Sequence, residues 1–95
     1  MKAYWMVRCN VKDAQVYGEY IQLAGPAIEK HGGRYLVRGG EQLEVEGEGY
    51  ERTVLVEFNS FEQAKACYQS EEYQAAYKVQ KEAADRLVVI VEGAS

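Results

Sequence analysis

Arg86-Leu87-Val88-Val89-Ile90-Val91-Glu92 runs apolar at every position between its charged ends. Its β-branched composition marks a strand, and a strand without polar alternation is buried on both faces. The remaining chain must therefore supply cover for two sides of a sheet.

Upstream, Tyr4 to Val11 alternates as a strand, with Trp5, Val7, Cys9 and Val11 on one face and Tyr4, Met6, Arg8 and Asn10 on the other. Asp13 then offers an N-cap carboxylate to a helix whose apolar stripe is Tyr17, Ile21, Ala24 and Ile28. Gly25-Pro26 predicts a kink or restart within it, and His31-Gly32-Gly33 its end. A second strand runs from Arg34 to Arg38, with Arg34, Leu36 and Arg38 on one face. Glu41 to Gly49 alternates weakly and reads as a short exposed β-ribbon ending in a Gly47-Glu48-Gly49 turn. Arg52 to Phe58 is a core strand, with Val54, Val56 and Phe58 facing one way and Thr53, Leu55 and Glu57 the other. Ser60 and Gln63 form a capping-box pair before a helix buried through Phe61, Ala64 and Tyr68. Ser70 caps a continuing or offset helix carrying Tyr73, Ala76 and Tyr77.

The order β-α-β-β-α-β is that of the ferredoxin-like split unit, a single α+β domain over residues 1–95 with an antiparallel sheet and helices on one face. The other face is read as Met6, Leu36, Leu55, Val88 and Ile90 with a few charges. That set is too apolar to leave in water, and a second copy across a two-fold axis is the simplest cover.

Composition excludes several classes of function. With 11 basic against 15 acidic residues the net charge is -4, which repels phosphate backbones and anionic lipid, so neither nucleic acid nor membrane is an expected partner. The fold order also serves RNA-recognition modules, but Thr53 and Leu55 stand where stacking aromatics would be needed. No apolar run approaches the roughly 20 residues of a membrane span. Met1 to Trp5 leads straight into a strand with no small-residue cleavage pattern, so no signal peptide is expected. Cys9 and Cys67 read as two buried thiols in a reducing cytoplasm. No cofactor or metal set is visible: the chain has one histidine and no clustered cysteines. The glycine pairs at 32–33 and 39–40 sit after a helix and after a strand, not where a phosphate loop opens a helix.

On the free face, strand phase gathers Tyr4, Arg8, Arg34, Arg38 and Glu57. Buried charges must pair or meet an anionic ligand, and guanidinium suits either role. The cluster is thus a subunit tether or a ligand site. His31 is the sole ordinary proton-transfer candidate near neutral pH, though a helix C-terminus favours a ring that caps loose carbonyls.

Several motifs resemble one family. They are Tyr4-Trp5, the block His31-Gly32-Gly33-Arg34-Tyr35-Leu36-Val37-Arg38-Gly39-Gly40, Glu57-Phe58-x-Ser60-Phe61, Ala66-Cys67-Tyr68-x-Ser70-x-Glu72-Tyr73, and Val91-Glu92-Gly93. Together they look like the family catalogued as domain of unknown function 1330. The resemblance implies the dimeric α/β-barrel superfamily, in which two ferredoxin-like sheets close face to face. Relatives there include cofactor-free monooxygenases, isomerases and haem enzymes acting on a ligand held between helix and sheet or within the barrel. It carries no reaction over, and places Arg34, Arg38, Glu57 and Tyr73 in the matching motifs. The expected function is binding of a small carboxylate or oxygenated ligand by a homodimer, with or without catalysis. The alternative is a non-catalytic module whose charges only set subunit register.

Overall fold

The computed structural model describes residues 1–47 and 49–94. Its elements are β1 (Ala3–Val11), α1 (Ala14–Lys30), β2 (Arg34–Arg38), β3 (Arg52–Phe58), α2 (Phe61–Gln69), α3 (Glu71–Gln80) and β4 (Ala84–Glu92). The strands form one antiparallel sheet in the order β2-β3-β1-β4. This is the ferredoxin-like fold, with its second helix broken in two at Ser70.

The caps explain where the helices begin. Asp13 accepts a hydrogen bond from the Val16 N–H at 3.1 Å, Ser60 Oγ from the Gln63 N–H at 3.1 Å, and Ser70 Oγ from the Tyr73 N–H at 3.2 Å. Each satisfies a donor that the first helical turn leaves without a partner. The reciprocal half of the expected Ser60 box is not made. The Gln63 amide donates instead to the His31 carbonyl at 3.2 Å, joining the end of α1 to the start of α2. Helix α1 ends where Gly32 takes φ 81°, a left-handed conformation that costs glycine little.

The core lies between the helices and one face of the sheet. Trp5 is its centre, tilted against Phe58 at 5.3 Å and edge-on to Tyr73 at 4.9 Å, with its indole N–H donating to the Ala64 carbonyl at 2.9 Å. Ala3, Val7, Cys9, Val54, Val56 and Phe58 complete the sheet side, and Tyr17, Tyr20, Ala24, Ala27 and Ile28 the α1 side.

Several expectations are corrected. Pro26 lies inside an unbroken α1, at an exposed position, and does not restart it. Tyr20 and Ala27 are buried where the predicted stripe had Ile21, which is 43% exposed. Glu41 to Gly47 forms no strand, because Leu43 and Val45 find nothing to bury against and stay 84% and 81% exposed. Glu48 of the predicted turn lies outside the described residues.

The most consequential corrections concern phase. In β2 the register passes from Tyr35 opposite Val56 to Val37 opposite Leu55, so Leu36 is an extra residue in a bulge. A bulge reverses the side-chain alternation beyond it. Arg38 therefore pairs with Val54 on the helix side and does not share a face with Glu57. In β4, Ile90 lies opposite Trp5 and Val88 opposite Val7, which puts both beneath the helices. Leu87, Val89 and Val91 occupy the free face instead, opposite Arg8, Met6 and Tyr4. The free face remains apolar with a different membership: Met6, Leu36, Leu87 and Val89 are each about half exposed, at 49%, 51%, 53% and 50%.

Candidate functional site

The sequence-predicted site residues divide between the two faces of the sheet. Tyr4, Arg8, Arg34 and Glu57 are on the free face, and each has a partner there. Glu57 pairs with Arg34 and accepts from the Tyr4 hydroxyl at 3.3 Å. The Arg34 hydrogen bond, with that guanidinium's charge, holds the Glu57 carboxyl below its usual range. Arg8 bonds Glu44 at 2.5 Å, the Thr53 hydroxyl at 3.0 Å and the Tyr50 carbonyl at 3.1 Å, and its guanidinium lies 5.4 Å from the Tyr50 ring centre. Gln42 joins the same network, accepting from Thr53 at 2.7 Å and donating to the Tyr50 carbonyl at 2.8 Å. These bonds tie the β2–β3 connection to the sheet.

His31 belongs to neither group. Its Nδ1 lies 2.9 Å from the Ala27 carbonyl at the end of α1, the helix-capping position the sequence favours.

Arg38 and Tyr73 meet a different set of residues beneath α1. A cavity of about 50 Å³ lies between that helix and the sheet, with Trp5, Val7, Val54 and Val56 as its floor. Tyr17, Tyr20, Ile21, Ala24 and Ile28 form its roof, and Tyr35, Arg38, Arg52 and Arg86 line the rest. Local backbone explains the arginines. Arg52 and Arg86 both lie opposite Cys9, so β1 carries them to the same level of the sheet on the same side. Arg38 arrives there through the bulge and stacks 3.8 Å from the Tyr35 ring centre. The guanidinium of Arg52 sits against Gly39, whose φ of 69° and missing side chain leave the space; a Cβ there would collide with it.

The electrostatics of this cavity differ from those of the free face. Among the described residues no carboxylate lines it. Arg86 lies 4.9 Å from the Tyr20 ring centre and donates from Nη1 to the Tyr73 hydroxyl at 3.2 Å. The Nε groups of Arg86 and Arg52 are buried without any hydrogen-bond partner. Tyr20 and Tyr73 share one hydrogen bond at 2.8 Å, and with Tyr73 also accepting from Arg86, the second hydroxyl proton of the pair has no acceptor among the described residues. Burial raises the Tyr17 and Tyr20 phenols above their ordinary value of 10.0, so both stay protonated and serve as donors, not bases. The cavity is thus rich in positive charge and hydrogen-bond donors and poor in acceptors. Leaving buried donors unmade costs about 1–3 kcal/mol each, so the arrangement suits an anion that supplies acceptors.

Arg52, Arg86, Tyr17, Tyr20 and Tyr35 were missing from the sequence-predicted set. Arg52 was findable, since it shares parity with Val54, Val56 and Phe58. Arg86 was not, because the run that follows it carries no alternation from which to read a phase. Cys9 and Cys67 are buried and free. Burial, with a smaller contribution from Glu72, pushes the Cys67 thiol up to about 12, which removes it as a nucleophile.

Similar structures fix the fold. A protein of unknown function from Rhodopseudomonas palustris superposes with a TM-score of 0.81 at 18% identity, over 99% of this chain and 83% of that one. SnoaB, a cofactor-independent oxygenase from Streptomyces nogalater, gives 0.69 at 5% identity over 99% and 94%. A dimeric protein of unknown function with a ferredoxin-like fold from Bacteroides fragilis gives 0.58 at 18% identity over 97% and 96%. No curated protein sequence matches the chain. The family model described as Domain of unknown function (DUF1330) matches residues 2–94, and the chain belongs to that family.

Proposed function

We propose that this protein is a homodimer that binds a small organic anion in the cavity beneath α1, through Arg38, Arg52 and Arg86 with Tyr20, which Tyr73 backs by a hydrogen bond. The observation that carries this reading is three guanidinium groups lining one cavity with no carboxylate among its walls, two of them with a buried Nε that has no hydrogen-bond partner. A carboxylate or enolate supplies negative charge and several lone pairs in a planar shape that guanidinium matches. The residues present favour binding, orienting and polarising such a ligand over abstracting a proton from it, since the phenols are held protonated and His31 lies outside the cavity.

The homodimer rests on the free face. Its apolar residues, with exposed Leu43 and Val45 beside them, form a surface that a second copy would cover. The dimeric relative from Bacteroides fragilis supports that assembly. The paired charges of this face then serve subunit register, the role the alternative reading gave to all of them. Two buried free thiols suit a reducing compartment, so we place the protein in the cytoplasm.

A thermal-shift panel of small carboxylic acids tests the ligand. At tenfold excess over Kd, a bound acid should add about 1.4 kcal/mol, or roughly 5 °C or more in Tm for a domain of this size. Arg52→Met should abolish the shift. Uniformly flat melting curves across the panel would remove the ligand and leave the register role alone.

A further inference from the structure

The cavity is too small to hold a whole metabolite. At about 50 Å³, where one water needs roughly 10–15 Å³, it has room for a few waters or a compact head group. A groove of about 500 Å³ runs alongside the first half of α1 and shares Tyr17, Ile21 and Arg52 with the cavity. Beyond those shared residues its walls are Val11, Ala14, Gly18 and Gly39, which are apolar or lack side chains, and the exposed Glu51. Arg52 therefore stands between a charged, donor-rich pocket and an open, largely apolar groove.

From this adjacency we infer that the ligand is a monocarboxylate with an apolar tail. Its head group meets Arg52, Arg86 and Arg38, and its tail leaves past Ile21 and lies along Gly18, Ala14 and Val11. This rests on the anion site proposed above and adds the ligand's second half. Gly18 makes the space: even a Cβ built there touches nothing within 4 Å, and any larger side chain on that helix face would enter the groove. Glu51 sits at the rim, its carboxylate accepting from the Val11 N–H at 3.1 Å. A second negative charge on the tail would meet that carboxylate, so dicarboxylates are disfavoured.

The test uses the emission of Trp5, the single tryptophan and a cavity wall, to titrate acetate, butyrate, hexanoate and octanoate, with adipate as the dicarboxylate. Affinity should rise by about three- to fourfold per methylene buried, until the groove is filled. Adipate should bind at least tenfold more weakly than hexanoate. In Gly18→Leu, which replaces a poor helix former with a good one and so should fold, the ratio of hexanoate to acetate affinity should collapse towards one; Gly18→Ala should reduce it partway. A wild-type series with no dependence on chain length overturns the tail channel while the anion site stands. A length dependence that survives Gly18→Leu places the tail elsewhere and also overturns it. Failure of every acid to bind removes the anion site and this inference together.

Discussion

The two faces of this sheet carry similar residues and treat them in opposite ways. On the free face each arginine has a partner: Arg34 has Glu57, and Arg8 has Glu44, Thr53 and Tyr50. On the helix side, Arg52 and Arg86 bury Nε groups with no acceptor, and no carboxylate lines their cavity among the described residues. Charge that is neutralised within the chain can be covered by a second subunit without leaving an ion stranded. Charge left unneutralised inside a subunit lowers stability and is retained where something else arrives to meet it. On the reading proposed here, the pairing of a charged group, more than its presence, separates a structural cluster from a binding one.

The largest expected effect is on the free face. Val89→Asp places a carboxylate opposite Met6 at the centre of the proposed interface, and the two-fold axis presents it twice. Each buried ion costs several kcal/mol, so light scattering on a size-exclusion column should show a dimer for wild type and a monomer for the variant. A monomeric wild type would refute the assignment of this face.

Smaller effects come from pH, and the two faces should fail at opposite ends of the scale. Ion pairing with Arg34 and Arg8 holds Glu57 and Glu44 below the ordinary 4.5, so their contribution is fully present above that value and is lost as pH falls through their lowered folded values. Tyr17 and Tyr20 are raised above 10.0 by burial, so they leave stability unchanged below pH 10 and reduce it as pH rises further, when the unfolded chain ionises first. Denaturant midpoints across both ranges should fall at each end. Arg34→Met should blunt the acid limb and leave the alkaline limb in place. Loss of both limbs together in that variant would mean that the faces are not independent.

Much of this architecture was legible in the sequence because alternation and caps are local signals. Trp5, Val7 and Cys9 fixed the phase of β1, and Asp13, Ser60 and Ser70 marked the helix starts. The candidate site was harder to read. Strict alternation puts Arg38 on the wrong face because a bulge at Leu36 inserts one residue, and nothing in Arg34 to Gly40 announces it before the cross-strand register is known. The faces of Val88 and Ile90 are not readable from the sequence, because a strand apolar throughout offers no polar position to set parity. Tyr73 could be named from its motif, but its partners Tyr20 and Arg86 lie on α1 and β4, and only tertiary packing brings them together.

The central claim is that unneutralised guanidinium groups beneath α1 hold a carboxylate, while those on the free face do not. Calorimetric titration of hexanoate into wild type, Arg86→Met and Arg34→Met tests it most directly, with melting temperatures measured alongside. The account predicts at least tenfold weaker binding in Arg86→Met with stability unchanged or raised, because an uncompensated buried charge has been removed, and wild-type affinity in Arg34→Met. Equal affinity in Arg86→Met and wild type, or greater loss in Arg34→Met, would contradict it.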